Sequence, residues 1–173
     1  MVQGRRAHWC REAGQVVADD RRTDFEEAYD AMRRAAYRAA YRLLGQRTVA
    51  EDVAGEALAR AYSRWPSVST HAEAWVVTVA TNLALDIARQ RARAARHGAE
   101  LIDEQPVDQV ETRLDLQAAL LALPRRQREV VALRFLGDFS ELATAAALGL
   151  NVGTVKSHAS RGLSRLRMTV ERV

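Results

Sequence analysis

Apolar residues recur through residues 23–97 with the three-and-four spacing of amphipathic helices, and three Thr-x-x-Glu patterns punctuate them. Thr23 with Glu26, Thr48 with Glu51 and Thr70 with Glu73 each fit a capping box, in which hydroxyl and carboxylate satisfy the free amide donors at a helix start. The first pattern predicts a helix that aligns Phe25, Tyr29, Met32, Ala36, Ala39 and Leu43 and stops at Gly45. The second aligns Val53, Ala57, Ala61 and Trp65 and stops at Pro66. The third aligns Trp75, Val79, Leu83 and Ile87 before an arginine-rich run from Arg89 to Arg96. Three helices with short connections predict one small bundle.

The periodicity lapses over residues 98–112, where Gly98, Pro106 and repeated acids have the composition of a linker. Leu114, Leu120, Leu121 and Leu123 then mark a short helix, Pro124 suits the first position of another, and Gly137 closes it. Glu141 to Leu163 reads as helix-turn-helix. Small Ala145 permits a close crossing, Gly149 tolerates a left-handed turn, Asn151 caps the second helix and Val155 anchors it. The fold class expected is all-α, with two small helical domains: an extension over 1–22, a three-helix domain over 23–97, an acidic linker over 98–112 and a helix-turn-helix domain over 113–173.

Charge sharpens this division. The 173 residues carry 26 basic and 22 acidic groups, a net +4 that hides a pattern: +4 over residues 1–98, −5 over 99–123 and +5 over 124–173. On the second helix of the C-terminal motif, Thr154, Lys156, Ser157, Ser160 and Arg161 are groups that bond phosphates and base edges in a major groove. Spacing, charge and polar residues together point to DNA.

Other classes are disfavoured. There is no Gly-rich phosphate loop, paired metal-ligand motif or nucleophile triad, and His71, His97 and His158 are scattered, so neither an enzyme, a catalytic residue, a cofactor nor a metal is expected. His8 and Cys10 flank Trp9 without the second ligand pair a metal needs. One cysteine excludes an intramolecular disulfide and suits a reducing compartment. With no apolar run of about 18 residues and no apolar stretch in the first residues, the expectation is a cytoplasmic protein without membrane insertion.

Two pairs of blocks resemble the bacterial RNA polymerase sigma factors of the extracytoplasmic-function type, within the sigma-70 family, and in particular the short sigma-E-like group of actinobacteria. AEDVAGEALARAYSRWPSV (50–68) and EAWVVTVATNLALDIARQ (73–90) are similar to the AED-x-x-QE block and to the W-x6-N-x3-D-x2-R block, through Trp75, Asn82, Asp86 and Arg89. ALPRRQREVVALRFLGDFSE (122–141) and GLNVGTVKSHASRGLSRLR (149–167) carry the second half, and GTVKSHASRGLSRLR is the most specific phrase.

The resemblance implies an initiation factor whose partners are core RNA polymerase and promoter DNA, with an anti-sigma factor as a further partner of this family. Glu51, Asp52 and Glu56 would dock on the clamp helices of the largest polymerase subunit. Asn82, Asp86, Arg89, Arg93 and Arg96, with a loop from Ser67 to His71, would open the minus-ten element and hold an extruded base. Thr154, Lys156, Ser157, Ser160 and Arg161 would read the minus-thirty-five element, while Arg125, Arg126 and Arg128 meet phosphates. The acidic linker would thread the RNA-exit path. Trp75 and Trp65 read first as core residues.

Two positions depart from the family pattern. Gly55 stands where Gln is usual, removing a potential polymerase contact and costing roughly 1 kcal/mol of helix propensity. Ala143 stands where many relatives have Glu, in the first helix of the DNA-reading motif. The alternative function is a stand-alone helix-turn-helix regulator with a ligand-sensing or dimerising N-terminal bundle, whose signature would be a palindromic site.

Overall fold

The computed structural model describes the backbone of residues 6–96 and 107–170 and the side chains of 22–94 and 112–168. Among the described residues there are only helices and turns. In chain order these are α1 (Arg6–Leu44), α2 (Arg47–Ser63), a single turn α3 (Trp65–Val68), a 3-10 turn (Ser69–His71) and α4 (Ala72–Arg96). Then come α5 (Val107–Ala122), α6 (Arg125–Val131) continued by a π-helical turn (Ala132–Leu136), α7 (Glu141–Leu148) and α8 (Val152–Val170).

None of the three Thr-x-x-Glu patterns caps a helix. α1 begins at Arg6 and passes straight through Thr23, because residues 6–22 carry four Arg and three Ala, which favour helix over an aperiodic extension. The side chains of His8, Trp9 and Cys10 lie outside the described residues. α2 is preceded by Gln46 without a side-chain cap, and Glu51 accepts instead from Arg47 at 3.0 Å. Thr70 lies in the 3-10 turn and shares a 3.2 Å hydrogen bond with His71 Nδ1.

The core explains the element order. Met32, Ala36, Ala39 and Leu43 of α1 meet Ala54, Ala57 and Leu58 of α2 and Val76, Val77, Ala80 and Ala84 of α4, all buried. Alanines at these crossings let the helix axes approach closely, which suits an antiparallel bundle. On α4 the expected stripe is displaced by about one position. Trp75, Val79, Leu83 and Ile87 are only partly buried, and the deepest residues are Val76, Val77, Ala80 and Ala84, because α4 is covered by more than one neighbour. α2 ends at Ser63 and Arg64 leaves helical geometry, so Trp65 starts α3 and packs edge-on against Phe25 at 5.0 Å.

The C-terminal half joins the same core. Leu120 and Leu123 follow from α5 and its end, and Val131, Leu133 and Leu136 from α6 and the π turn. α5 begins at Val107, inside the span read as linker; residues 97–106, with His97, lie outside the described residues. Pro124 is the residue before α6 rather than its first, with ψ of 144°, an extended value that starts the helix at Arg125.

Candidate nucleic-acid interface

The C-terminal motif is built as its residues dictate. Ser140 Oγ accepts from the Ala143 amide at 3.0 Å and starts α7. Gly149 takes φ of 63° and ends it, and Asn151 Oδ1 accepts from the Thr154 amide at 2.7 Å to start α8. Such caps replace the missing partners of terminal amides. Val130, Ala145 and Val155 form a small separate core where α6, α7 and α8 meet, so α8 is fixed by Val155 with its opposite face outward.

On that face Lys156, Ser157, Ser160 and Arg161 are exposed and Thr154 is half-buried. They form one contiguous polar surface. Lys156 Nζ stands 3.6 Å from Glu141 Oε2 on α7. His158 is half-buried, and its Nδ1 is closed off without a hydrogen-bond partner. Arg125 and Arg126 are exposed, Arg128 half-buried. The first two converge on Glu129, whose side chain is only 8% exposed: Arg125 Nε donates to Oε1 at 2.8 Å and Arg126 Nη1 to Oε2 at 2.9 Å. Gln127 Oε1 accepts from Arg165 at 3.1 Å and ties α6 to α8.

In the N-terminal half, Asn82, Asp86, Arg89 and Arg93 are all exposed on one side of α4; the Arg96 side chain lies outside the described residues. Arg89 Nη1 donates to Asp86 Oδ1 at 2.6 Å. Ser67 is exposed and donates to the Arg64 carbonyl, and His71 is half-buried. These residues do not converge on a pocket. From His71 to Arg93 the helical rise spreads them over ~33 Å, the dimension of a track for a strand. Trp75 is half-buried with the Arg64 guanidinium 6.0 Å above its ring.

Glu51, Asp52 and Glu56 are exposed on α2. Glu51 pairs with Arg47 and Glu56 with Arg60 at 2.7 Å; the Glu51 carboxylate holds the Arg47 charge above its ordinary pKa range. Gly55 lies between them, and a Cβ built there meets nothing within 4 Å.

The two halves face each other. A cleft of about 640 Å³ has Ser69, Thr70, His71 and Glu73 on one side and Phe139, Ala143, Ala146 and Ala147 on the other. Side chains that the sequence reading does not single out include Glu129 and Glu141, which hold the cations proposed to meet DNA. The three- and four-residue spacing of Arg126 and Arg125 from Glu129 is a readable signal, whereas Glu141 and Lys156 are brought together by the turn. Among the described residues no three His, Cys, Asp or Glu side chains are grouped to hold a metal ion, and no helix is long and apolar enough to cross a membrane.

Comparison with known proteins matches residues 28–94 to the model of sigma-70 region 2 and residues 113–166 to that of sigma-70 region 4. The RNA polymerase sigma-E factor of Streptomyces coelicolor is 37% identical over 150 residues, covering 83% of this chain and 84% of that one. The ECF RNA polymerase sigma factor SigW of Bacillus subtilis is 29% identical, covering 83% and 87%. Among solved structures, the sigma factor RpoE of Bartonella quintana in complex with the anti-sigma factor NepR is 26% identical, with a TM-score of 0.50, covering 86% of this chain and 97% of that one.

Proposed function

Because the chain belongs to the extracytoplasmic-function RNA polymerase sigma factors of the sigma-70 family, we propose a division of labour along it in which α4 and the Ser67–His71 segment, helical rather than the expected loop, open the minus-ten element while α8 reads the minus-thirty-five element. As a sigma factor it binds core RNA polymerase and directs initiation to promoters. The observation that carries the division is the pairing, in one chain, of an outward polar face on α8 with a polar track on α4.

Asn82 offers an amide to an exposed base edge, and Arg89, Arg93 and Arg96 follow at helical spacing as phosphate partners. Unstacking a base costs a few kcal/mol, which such a track and the Ser67–His71 turns offset together. Thr154, Lys156, Ser157, Ser160 and Arg161 meet base edges and phosphates in the major groove, and Arg125, Arg126 and Arg128 meet the flanking backbone. Glu51, Asp52 and Glu56 form an acidic surface suited to a basic face of the polymerase and to steering the encounter. The factor acts as a cytoplasmic, non-enzymatic specificity subunit. An anti-sigma factor is a fitting further partner, since the Bartonella relative is held by one.

In vitro transcription with core polymerase across genomic DNA, with the start sites sequenced, tests the whole reading. Start-site-specific RNA that needs both protein and core is expected, with loss of duplex opening in Asn82→Ala and loss of minus-thirty-five dependence in Arg161→Ala. Tight sequence-specific binding without core, and no initiation with it, would reject the reading in favour of a stand-alone regulator.

A further inference from the structure

The chain has 26 basic residues, and Lys156 is its one lysine. It stands where α7 and α8 meet. The turn between those helices is tied down: Gly149 takes φ of 63°, the Leu150 amide donates to the Ala145 carbonyl at 2.9 Å, and Ala145 packs with Val155. This geometry carries Glu141, the first residue of α7, to the flank of α8, where its Oε2 lies 3.6 Å from Lys156 Nζ. Both side chains reach solvent, Lys156 at 64% and Glu141 at 38% exposed.

This pair is unlike the one on α6. Arg125 and Arg126 close on Glu129 at 2.8 and 2.9 Å, and both oxygens of that buried carboxylate are engaged. At 3.6 Å, Lys156 and Glu141 attract one another without a closed hydrogen bond. The ammonium keeps its donors and the carboxylate its acceptor sites. An arginine there would lock onto the carboxylate through its planar fork, whereas a lysine is a compact charge on a flexible stem. The two side chains thus present a donor beside an acceptor, on the flank of the helix assigned to the major groove.

Base pairs carry the complementary pattern. In a C·G pair, cytosine N4 donates to guanine O6 at about 2.9 Å, and both groups face the major groove. A Lys donor and a Glu acceptor 3.6 Å apart match that edge, with Lys156 on guanine O6 and N7 and Glu141 on cytosine N4. An A·T pair offers N6 and O4 in the same order, but there the thymine methyl replaces N7 beside the ammonium. Turning either pair round sets the carboxylate against O6 or O4, acceptor against acceptor.

We propose that Glu141 and Lys156 act as one recognition unit for a single C·G base pair of the minus-thirty-five element, in a fixed orientation, which makes Glu141 a specificity-determining residue. The proposal rests on the assignment of α8 to that element.

The test uses the holoenzyme. The strongest promoter recovered by transcription of genomic DNA is rebuilt as a library with its minus-thirty-five region randomised, and transcripts are counted per template for wild type, Glu141→Gln and Lys156→Gln. With the wild type, reversing one C·G pair should lower transcription about tenfold. In each variant the cost of that reversal should fall to within about threefold, since an amide presents either a donor or an acceptor, while the costs at the other pairs stay as they were. A weakened α7 alone would lower all templates alike and leave these ratios intact. Wild-type indifference to reversal at every pair, unchanged ratios in Glu141→Gln, or effects of the two variants at different pairs would overturn the proposal. A wild-type factor that initiates nowhere would instead reject the functional reading on which it rests.

Discussion

Gly162 of α8 lies so close to Val131 of α6 that a Cβ added to it would stand 2.6 Å from Val131 Cγ2. In an open helix, Gly to Ala gains about 1 kcal/mol. Here overpacking opposes it, at about 1–3 kcal/mol, since Val131 is itself buried against the core. Gly162→Ala is expected to lower stability in denaturant titration, and the double variant with Val131→Ala to recover part of the loss. A stabilised single variant would show that α6 and α8 separate more easily than their contact suggests.

The opposite sign is expected at Gly55, which is exposed in the interior of α2 with open space around its Cα. Gly55→Ala should raise stability by up to about 1 kcal/mol, read as a higher denaturation midpoint at unchanged slope. Gly55→Gln restores the residue usual in the family and should also tighten assembly with core polymerase, measured by competition. Tighter assembly in the Ala variant as well would assign the gain to helix order rather than to a Gln contact.

Asn151 offers a local test of the DNA-reading motif. Its Oδ1 accepts from the Thr154 amide, so Asn151→Ala leaves that donor without its cap at a cost of ~1 kcal/mol. The first two turns of α8, which carry Thr154, Lys156 and Ser157, should fray. Hydrogen exchange there should quicken while α4 is unaffected, and binding of a minus-thirty-five duplex should weaken. Asn151→Asp should retain the cap and its exchange protection.

The Arg42 bond to Asp138 has a pH signature. That hydrogen bond holds the Asp138 carboxyl below the ordinary aspartate value of 3.8. A carboxyl depressed on folding contributes stability above its unfolded pKa and loses it as pH falls through the lowered value. The contribution should therefore be constant from neutrality down to about pH 4 and fade below. Asp138 also has φ of 61°, which Asn tolerates, so Asp138→Asn removes the charge without backbone strain. The stability difference between wild type and Asp138→Asn, followed from about pH 7 to about pH 3, should shrink at the acid end. A gap that widens there would exclude the carboxylate as its source.

Local rules make the helix-turn-helix legible in the amino-acid sequence. Ala145, Gly149, Asn151 and Val155 each have one conformational task within a dozen residues, and each performs it. The bundle is legible as three amphipathic segments, but its boundaries are not, because Thr23, Thr48 and Thr70 are good caps that longer helices or a 3-10 turn override. The α4 stripe is shifted because a sequence does not say how many neighbours a helix has. Least legible is the seating of the two halves. A guanidinium from Arg42 on the carbonyls of Phe135 and Leu136 leaves no pattern in a linear reading, since any exposed Arg can do the same. The linker composition points the other way, towards a free tether. Of the proposed DNA residues, exposure on a shared face is legible from spacing, and so are Asp86 and Glu129 as partners three or four residues away; Glu141 as the partner of Lys156 is not.

Those partners alter how the cations on these surfaces should be counted. Arg89 is held by Asp86, Arg125 and Arg126 share Glu129, and Lys156 stands near Glu141. When such a cation meets a phosphate, the carboxylate beside it still cancels part of its charge. Each such pair thus displaces less than one full counterion from the DNA. Each fully free cation contributes ~0.9 to the fall of log affinity with log salt, so the measured slope should be shallower than the number of Arg and Lys at the interface. Neutralising Glu129 with Gln should steepen it, making the protein cling harder to any DNA and distinguish promoters less. At the proposed DNA contacts, the acids among these bases would act as a brake on indiscriminate attachment.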